Sequence, residues 1–467
     1  MSGGDLRSRG GIRGKWYHEV VPGRDQLVFV GSHLGYPMDR TPLGGGATVG
    51  VQLARCWAGE KGFRLRVVGS GPTPPALGVE YLSLPRLEGR QAPELAKLSE
   101  FGYARFCREF EESTTAHLER CVAEAGRGRT CAVVNDISES PDLERVHRTG
   151  ARIVSIWHVD VVDYFNRIYL KGVLPPERLV DAYDHLERCG LGRWVPEVFQ
   201  LVFRKQREAV RRSHALIVPS RRMGATLERC YGRQRLAGRI QVVPWGGWTE
   251  EYDEELALRE ARRLRDYHGI GPETTVLLTL SRISPEKGID ILLEALRILE
   301  RDPDFAARDL CLFVCGEPAF MRGESYARKV RAAARRLRRF RVFFPGYLSA
   351  QDKQAYLRVA DLFVSASVHE SYGLTIVEAM RAGLPVLSGD HYGVEEILSP
   401  AFGRRVSYRG ARRRPSAMAD GLRDMLSDPA RLKAMGREAA EAAKEMDFSS
   451  AARRILDAAL AFDGKKS

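Results

Sequence analysis

The sequence predicts an α/β protein with two halves, each built on a parallel sheet. Its 467 residues give room for two or three domains. In both halves, apolar runs of strand length alternate with loops and helical patterns, which is the order of βαβ units. Several of these runs end in polar residues. Because ligands of open parallel sheets bind beyond the carboxyl ends of the strands, those residues indicate where a substrate lies.

The first half begins with a Gly/Arg-rich segment, residues 1–24, that we expect to be flexible. A strand is predicted at Leu27 to Val30, followed by a long loop that ends in Gly44, Gly45 and Gly46 ahead of a helix. Glycines at such a place let a phosphate approach the backbone closely. The string fits neither a P-loop nor a dinucleotide fingerprint, and a plain flexible turn is the alternative interpretation.

Two further strands of the first half end in candidate ligands. Ala132 to Val134 leads to Asn135-Asp136, and Ile153 to Ile156 leads to Trp157-His158-Val159-Asp160. His158, Asp136 and Asp160 therefore point to where a substrate should lie. A purely structural role is the alternative for each.

The second half repeats the strand–loop–helix pattern after a charged segment, Gly247 to Leu264, that is expected to link the domains. A strand at Thr275 to Leu280 precedes a basic loop with Arg282 and Lys287. An arginine can hold a diphosphate in a bidentate fork, and a lysine adds a point charge. A solvated basic loop is the alternative.

The most informative stretch runs from Asp361 to Ser388 and reads as strand, loop, helix and strand. Backbone N–H groups at the helix start, Leu374 and Thr375, form an anion site suited to a phosphate. Glu370 and Glu378 flank that site. Because carboxylates repel phosphate, they should meet the hydroxyl groups of a sugar or ribose. A nucleotide-sugar offers all of these groups, whereas a solvated helix face is the alternative for the two glutamates.

This stretch resembles the retaining glycosyltransferases of family 4, which have the GT-B fold. The likeness lies in two glutamates eight apart with Tyr-Gly-Leu between them, followed by Glu-Ala-Met-x-x-Gly-x-Pro-Val. It implies two Rossmann-like, doubly wound domains that face each other across a cleft. The implied division is an acceptor-side domain at 25–250, a nucleotide-sugar donor domain at 251–446, and a C-terminal helix, 447–467, that crosses back to the first domain.

The resemblance also implies roles for residues at matching positions. Glu370, His158, Arg282 and Lys287 are the expected catalytic groups, while Asp136 and Asp160 are weaker acceptor candidates. At 245 the family usually has Asn, and Trp245 leaves open what the crevice holds there. The expected donor-binding residues are Gly45, Gly46, Gly316, Tyr347, Ser371, Tyr372, Gly373, Leu374, Thr375 and Glu378.

The expected activity is transfer of a hexose-type sugar from a UDP- or GDP-sugar to an acceptor hydroxyl, with retention and without a metal or cofactor. Asp302-Pro303-Asp304 has the spacing of a metal-binding motif, but it follows a helix instead of a strand and is interpreted as a turn. The acceptor, whether saccharide, lipid-linked or small molecule, is left open. A GT-B phosphorylase, a sugar-nucleotide epimerase and a non-catalytic scaffold that binds nucleotide or an anionic surface are the alternatives.

Composition adds broader expectations. The net charge of +13 fits either an anionic membrane surface or solvated arginine faces. Arg328 to Arg339 has no interleaved aromatic residue, which argues against nucleic acid. With no secretory signal, no long apolar run and eight scattered cysteines, we expect a cytoplasmic, reduced protein, with a contact at the inner membrane face as an option. Aromatic residues between Val161 and Arg212, including Trp194, are expected mostly in the core.

Overall fold

The computed structural model describes residues 25–37, 44–85, 100–169, 174–319, 323–408, 410 and 413–461. The predicted tail at 1–24 lies outside these residues. Strands β1 to β13 are Gln26–Val30, Arg64–Gly69, Glu80–Ser83, Thr130–Val134, Arg152–Ile156, Ala215–Val218, Ile240–Val242, Thr275–Leu280, Leu310–Cys315, Arg341–Gly346, Leu362–Ser365, Val386–Gly389 and Gly403–Val406. Helices α1 to α18 are Gly45–Ala58, Glu100–Ala125, Leu143–Arg148, Val161–Tyr169, Pro176–Arg188, Glu197–Arg212, Arg221–Tyr231, Arg233–Leu236, Glu254–Tyr267, Ile289–Leu299, Pro303–Ala306, Gly323–Ala334, Ala350–Val359, Leu374–Arg381, Val394–Ile397, Arg414–Leu426, Pro429–Lys444 and Phe448–Leu460.

The strands form two parallel sheets, which confirms the predicted fold. The first has seven strands in the order β3-β2-β1-β4-β5-β6-β7, and the second has six in the order β10-β9-β8-β11-β12-β13. The strand order reverses beside β1 and β4 in one sheet and beside β8 and β11 in the other. Such reversals open a crevice at the carboxyl ends of the strands. Each sheet therefore has one binding crevice.

Burial on both faces explains why the strands were recognisable as apolar runs. All residues of β1, β4 and β9 are buried, because helices cover both sides of each sheet. The edge strand β3 was not predicted, since its four residues are polar or only half-buried. The linker prediction was also wrong over part of its length. Residues 254–267 form α9, which buries Ala257 and Ala261 and packs on α13 of the second domain.

Helix α18 packs on the first domain although it follows the second in the chain. Trp57 Nε1 donates to the Ala452 carbonyl at 3.0 Å, and an arginine of α18, Arg454, donates to the Val242 carbonyl at 2.8 Å. A second contact between the domains is the seam between α4 and the loops of the second domain that carry His369 and Tyr392. There the Tyr392 hydroxyl donates to Asp163, whose carboxylate lies 3.5 Å from His369 Nδ1.

Candidate active site

The glycine loop ahead of α1 lies where three predicted site residues meet. A Cβ on Gly44 would be 3.3 Å from Nη1 of Arg282, and a Cβ on Gly45 would be 3.4 Å from Leu374. A Cβ on Gly46 would be only 3.1 Å from the ring of His158. Gly44 also has a φ of +89°, which favours glycine. The loop therefore brings residues of both domains together.

Lys287 and Glu370 form an ion pair on the second-domain side of the cleft. Burial by itself would raise the pKa of Glu370, but Lys287, His391 and Arg282 together hold this pKa below its usual value. Glu370 is therefore ionised at neutral pH. The Arg282 guanidinium lies 3.5 Å from the buried carboxylate of Glu286, which anchors the basic loop. The two cations named from the sequence thus share one place with Glu370.

Helix α14 starts at this place. Gly373, which precedes it, has a φ of +118°, and within the described residues no side chain caps its first turn. Ser371, Leu374 and Thr375 are half-buried beside those backbone N–H groups. Unsatisfied N–H groups and the positive end of the helix dipole favour an anion there.

Tyr372 points away from the expected ligand. It is 2% exposed, and its hydroxyl accepts a hydrogen bond from the Gly246 N–H at 2.9 Å. Its side chain therefore joins the two domains at the base of the cleft. Donor binding by this residue stays a prediction that rests on its backbone, because the side chain is occupied by a structural contact.

Glu378 belongs to a cluster that the sequence did not reveal. Lys353 Nζ lies 3.0 Å from Glu378 and 2.7 Å from Glu250. Burial, together with the neighbouring Glu250 carboxylate, raises the pKa of Glu378 despite Lys353. A ribose hydroxyl that bonds to Glu378 would join this existing pair, so the expected ribose contact is compatible with the geometry and stays a prediction.

Gly316 and Tyr347 lie at the ends of β9 and β10. A Cβ on Gly316, whose φ is +139°, would be 1.9 Å from the Ser281 carbonyl, so only glycine fits. The Tyr347 N–H donates to Glu317 at 3.3 Å, and the Tyr347 side chain is 43% exposed. Both residues are thus at the crevice of the second sheet, where a nucleoside is expected.

The first-domain wall of the cleft is a chain of hydrogen bonds. His158 Nε2 is 2.9 Å from Asn135 Oδ1, and Asp136 lies 3.4 Å from His33 Nδ1. Burial lowers the pKa of His158 to about 4, so this ring is neutral. Burial opposes protonation of His33 too, but Asp136 outweighs it and the His33 pKa is raised to about 9. Trp245 packs behind His158 with ring centroids 5.6 Å apart.

Asp160 does not face the cleft. It is fully buried and caps α4, accepting from the N–H groups of Val162 and Asp163 at 3.1 and 3.2 Å and from Gln206 at 2.9 Å. Burial raises the pKa of Asp160. These contacts give its carboxylate a structural role. Because the Asp160 side chain is buried, the geometry gives no support to the predicted acceptor contact.

The described residues contain no group of three His, Cys, Asp or Glu side chains that could hold a metal ion. Asp302 instead accepts from the Asp304 N–H at 3.1 Å and from Arg423 at 2.9 Å, as a cap of α11. Among the same residues no helix is long and apolar enough to cross a membrane. Trp194, one of the aromatic residues of a segment expected mostly in the core, is 76% exposed.

Residues 260–442, in the second domain, match the family model described as glycosyl transferases group 1. This match covers less than half of the chain. The match includes Arg282, Lys287, Glu370 and Glu378, so the resemblance seen in the sequence is confirmed where it was most specific.

Two curated relatives extend the comparison. The chain is 31% identical over 182 residues to mannosylfructose-phosphate synthase of Agrobacterium fabrum, covering 38% of this chain and 37% of the relative. It is 30% identical over 258 residues to D-inositol 3-phosphate glycosyltransferase of Rhodococcus opacus, covering 54% of each. The chain thus spans about half or less of the length of these relatives.

Solved structures match nearly the whole chain. A sucrose-phosphate synthase from Thermosynechococcus elongatus has a TM-score of 0.65 at 18% identity, covering 93% of this chain and 98% of that one. Anabaena HepE, solved with UDP and glucose, has a TM-score of 0.61 at 17% identity, covering 93% and 99%. At these identities the likeness shows the fold alone, which is GT-B over both domains.

The sequence missed the groups that support the site. Asn135 was noted only as a polar strand end, and His33, Lys353 and Glu250 were not identified. One available signal was position, since His33 and Asn135 each follow a buried strand at the switch point of the first sheet. Lys353 and Glu250 carried no comparable signal, because they reach Glu378 from an inter-domain segment and a separate helix.

Proposed function

We propose that the chain is a retaining, metal-independent glycosyltransferase that moves a hexose-type sugar from a UDP- or GDP-sugar to an acceptor hydroxyl. The observation that carries this proposal is the meeting of Arg282, Leu374 and His158 at Gly44–Gly46. Arg282 and the starts of α1 and α14, which belong to different domains, converge there. The name of one relative, D-inositol 3-phosphate glycosyltransferase, supports the same reaction class.

The chemical problem is the negative charge that develops on the leaving diphosphate. Arg282, Lys287 and the N–H groups at the starts of α1 and α14 neutralise it. Preorganised donors of this kind are worth about 3–4 kcal/mol each when one is removed. This supports catalysis without a metal, because the positive charge is supplied by the protein.

Glu370 acts on the positive charge that develops on the sugar. Its carboxylate, ionised beside Lys287, holds sugar hydroxyls and stabilises positive charge that builds at the anomeric carbon. The bond from this carbon to the phosphate oxygen breaks, and a bond to the acceptor oxygen forms on the same face. The acceptor's proton passes to the departing phosphate oxygen, so no protein nucleophile is needed. Closure of the domains over the donor completes the contacts.

The first test is calorimetric titration of UDP, GDP and ADP into the protein in EDTA. Saturable binding of UDP or GDP, followed by transfer from the matching sugar nucleotide with an α-linked product from an α-linked donor, is the expected result. A requirement for added metal would remove metal independence. Rearrangement of the donor without acceptor would favour an epimerase, phosphate-dependent cleavage a phosphorylase, and no nucleotide binding a scaffold.

We also propose a cytoplasmic setting with a peripheral contact to an anionic membrane. The net charge of +13 and the 76% exposed Trp194, with the Arg193 guanidinium 5.8 Å from its ring centroid, support it. Cosedimentation with vesicles that contain phosphatidylglycerol should exceed cosedimentation with phosphatidylcholine alone. Equal or absent binding to both would remove this contact from the proposal.

A further inference from the structure

Asn135 is a fully enclosed polar group beside the site. It is fully buried at the end of β4, and its backbone N–H donates to the Val30 carbonyl at 2.8 Å. Its side chain lies between the glycine loop, the Asp136 carboxylate and His158. A buried amide with this many polar neighbours has its orientation fixed by them.

The orientation of the amide follows from its neighbours. Asn135 Nδ2 lies 3.3 Å from the Gly46 carbonyl oxygen and 3.3 Å from Asp136 Oδ1. Both neighbours are acceptors, so the NH₂ group must face them, and the amide oxygen must face His158. Turning the amide over would set its oxygen against two other oxygens.

The orientation of the amide decides the state of the imidazole. Asn135 Oδ1 lies 2.9 Å from His158 Nε2 and can only accept, so Nε2 carries the proton. In a neutral ring the other nitrogen, Nδ1, is then an acceptor. Among the described residues no group hydrogen-bonds to Nδ1, and His158 is half-buried. The Cδ2 side of the ring faces Gly46, so Nδ1 is on the side away from the glycine loop.

A carboxylate close to His158 would ordinarily favour an imidazolium. Here Asp136 is paired with His33, whose ring lies 3.4 Å from the carboxylate and whose positive charge offsets it. The groups that face His158 are thus Asn135, the His33–Asp136 pair, Gly46 and the indole of Trp245. This set favours a neutral ring.

We infer that Asn135 is a positioning residue that holds His158 as the Nε2–H tautomer, so that Nδ1 accepts a hydrogen bond from a hydroxyl group of the sugar or acceptor in the cleft. The inference rests on the proposed function, since it names the group that orients a hydroxyl for transfer. It also gives a reason why His158, which faces the cations of the second domain, is neutral. An imidazolium could donate to a hydroxyl but could not accept from it.

The tautomer can be measured without turnover. Protein labelled with ¹⁵N-histidine, with His158 assigned by comparison with His158→Gln, should show a protonated Nε2 and an unprotonated Nδ1 from pH 6 to 8. A protonated Nδ1 in that range would overturn the inference. This result stands apart from the proposed function, because it requires neither donor nor acceptor.

The second test replaces the amide by a carboxylate. In Asn135→Asp the new charge should make His158 cationic at pH 7 and lower kcat/KM about ten-fold. Activity should recover as the pH rises and the ring loses its proton. Nucleotide affinity should change little, since the cations that hold the diphosphate, Arg282 and Lys287, lie in the second domain.

The matched control is Asn166→Asp, which makes the same change at a buried amide of α4 that donates to the Leu174 carbonyl. It should lower stability without altering the pH profile. An Asn135→Asp protein that loses activity equally at every pH overturns the inference while leaving the transferase intact. No transfer by wild type, together with the expected tautomer, removes the proposed function and the hydroxyl-binding role but not the tautomer assignment.

Discussion

The two walls of the cleft differ in how they are built. The second-domain wall is charged, with Lys287 paired to Glu370 and Lys353 paired to Glu378. The first-domain wall consists of neutral and mutually compensated groups, in which His158 is uncharged beside Asn135. The charged wall suits a diphosphate, and the neutral wall suits hydroxyl groups.

The difference separates binding from positioning. Charge on one wall neutralises the leaving group wherever the acceptor lies, because electrostatic attraction is only weakly directional. Hydrogen bonds on the other wall fix a direction, because donor and acceptor must be aligned. Changes to the charged wall should therefore weaken the chemistry most, and changes to the neutral wall should alter its pH dependence and geometry.

Breaking the charged wall should have the largest effect. Glu370→Gln leaves Lys287 unpaired and removes the carboxylate that stabilises positive charge on the sugar. We expect kcat/KM to fall by about 10²–10³-fold. Steady-state transfer kinetics measure it, with Glu294→Gln, in an exposed pair with Arg297 on α10, as a control that should keep its activity. More than half of wild-type activity in Glu370→Gln would contradict the role assigned to this wall.

The compensated charges of the neutral wall predict a pH dependence of stability. The pKa of His33 is raised to about 9, above its unfolded value, because Asp136 outweighs the effect of burial. With Asp136 ionised, the protonated ring therefore stabilises the fold fully below about pH 6.5, and this contribution, up to about 3 kcal/mol, is lost as the pH rises through 9.

Urea denaturation of wild type and His33→Gln at pH 6, 7.5 and 9.5 checks this dependence. The advantage of wild type should shrink across that range. His185→Gln, an exposed imidazole on α5, controls for the loss of a ring. Parallel profiles for wild type and His33→Gln would show that the pair makes no such contribution.

The geometry of the neutral wall is tested at the glycine loop. In Gly46→Ala the added methyl group would lie 3.1 Å from the His158 ring and must displace it. A misplaced ring should reduce kcat/KM about ten-fold. Gly59→Ala is the matched control at the end of the same helix, where a Cβ meets nothing within 4 Å. Equal activities for the two variants would mean that the His158 position is unimportant.

The smallest expected effect concerns the seam that joins the walls. Tyr392→Phe removes the hydroxyl that donates to Asp163, at a net cost of about 1 kcal/mol. Thermal unfolding should become less cooperative between the domains, and small-angle scattering should report a larger radius of gyration. Tyr326→Phe removes a similar bond, to Asp290 at 2.7 Å, within the second domain. It should lower stability alone, and an equal expansion of both variants would refute the seam's role.

The sequence by itself determined the fold class and most of the charged wall. Arg282 and Lys287 lie within six residues of each other, and Glu370 to Glu378 lies on one loop and one helix. Local spacing is enough to place such groups, because a strand, a loop and a helix start fix which side chains are neighbours. Residues of this kind carry their geometry in the chain order.

The tertiary structure decided the neutral wall and its partners. His33, Asn135 and His158 follow β1, β4 and β5, and they meet only because these strands are adjacent in the sheet. Lys353 reaches Glu378 from α13 in the same way. Apolar runs predict that strands exist but not their order, since every buried strand of a parallel sheet has a similar composition. Contacts across the sheet and between the domains were therefore beyond what the sequence could specify.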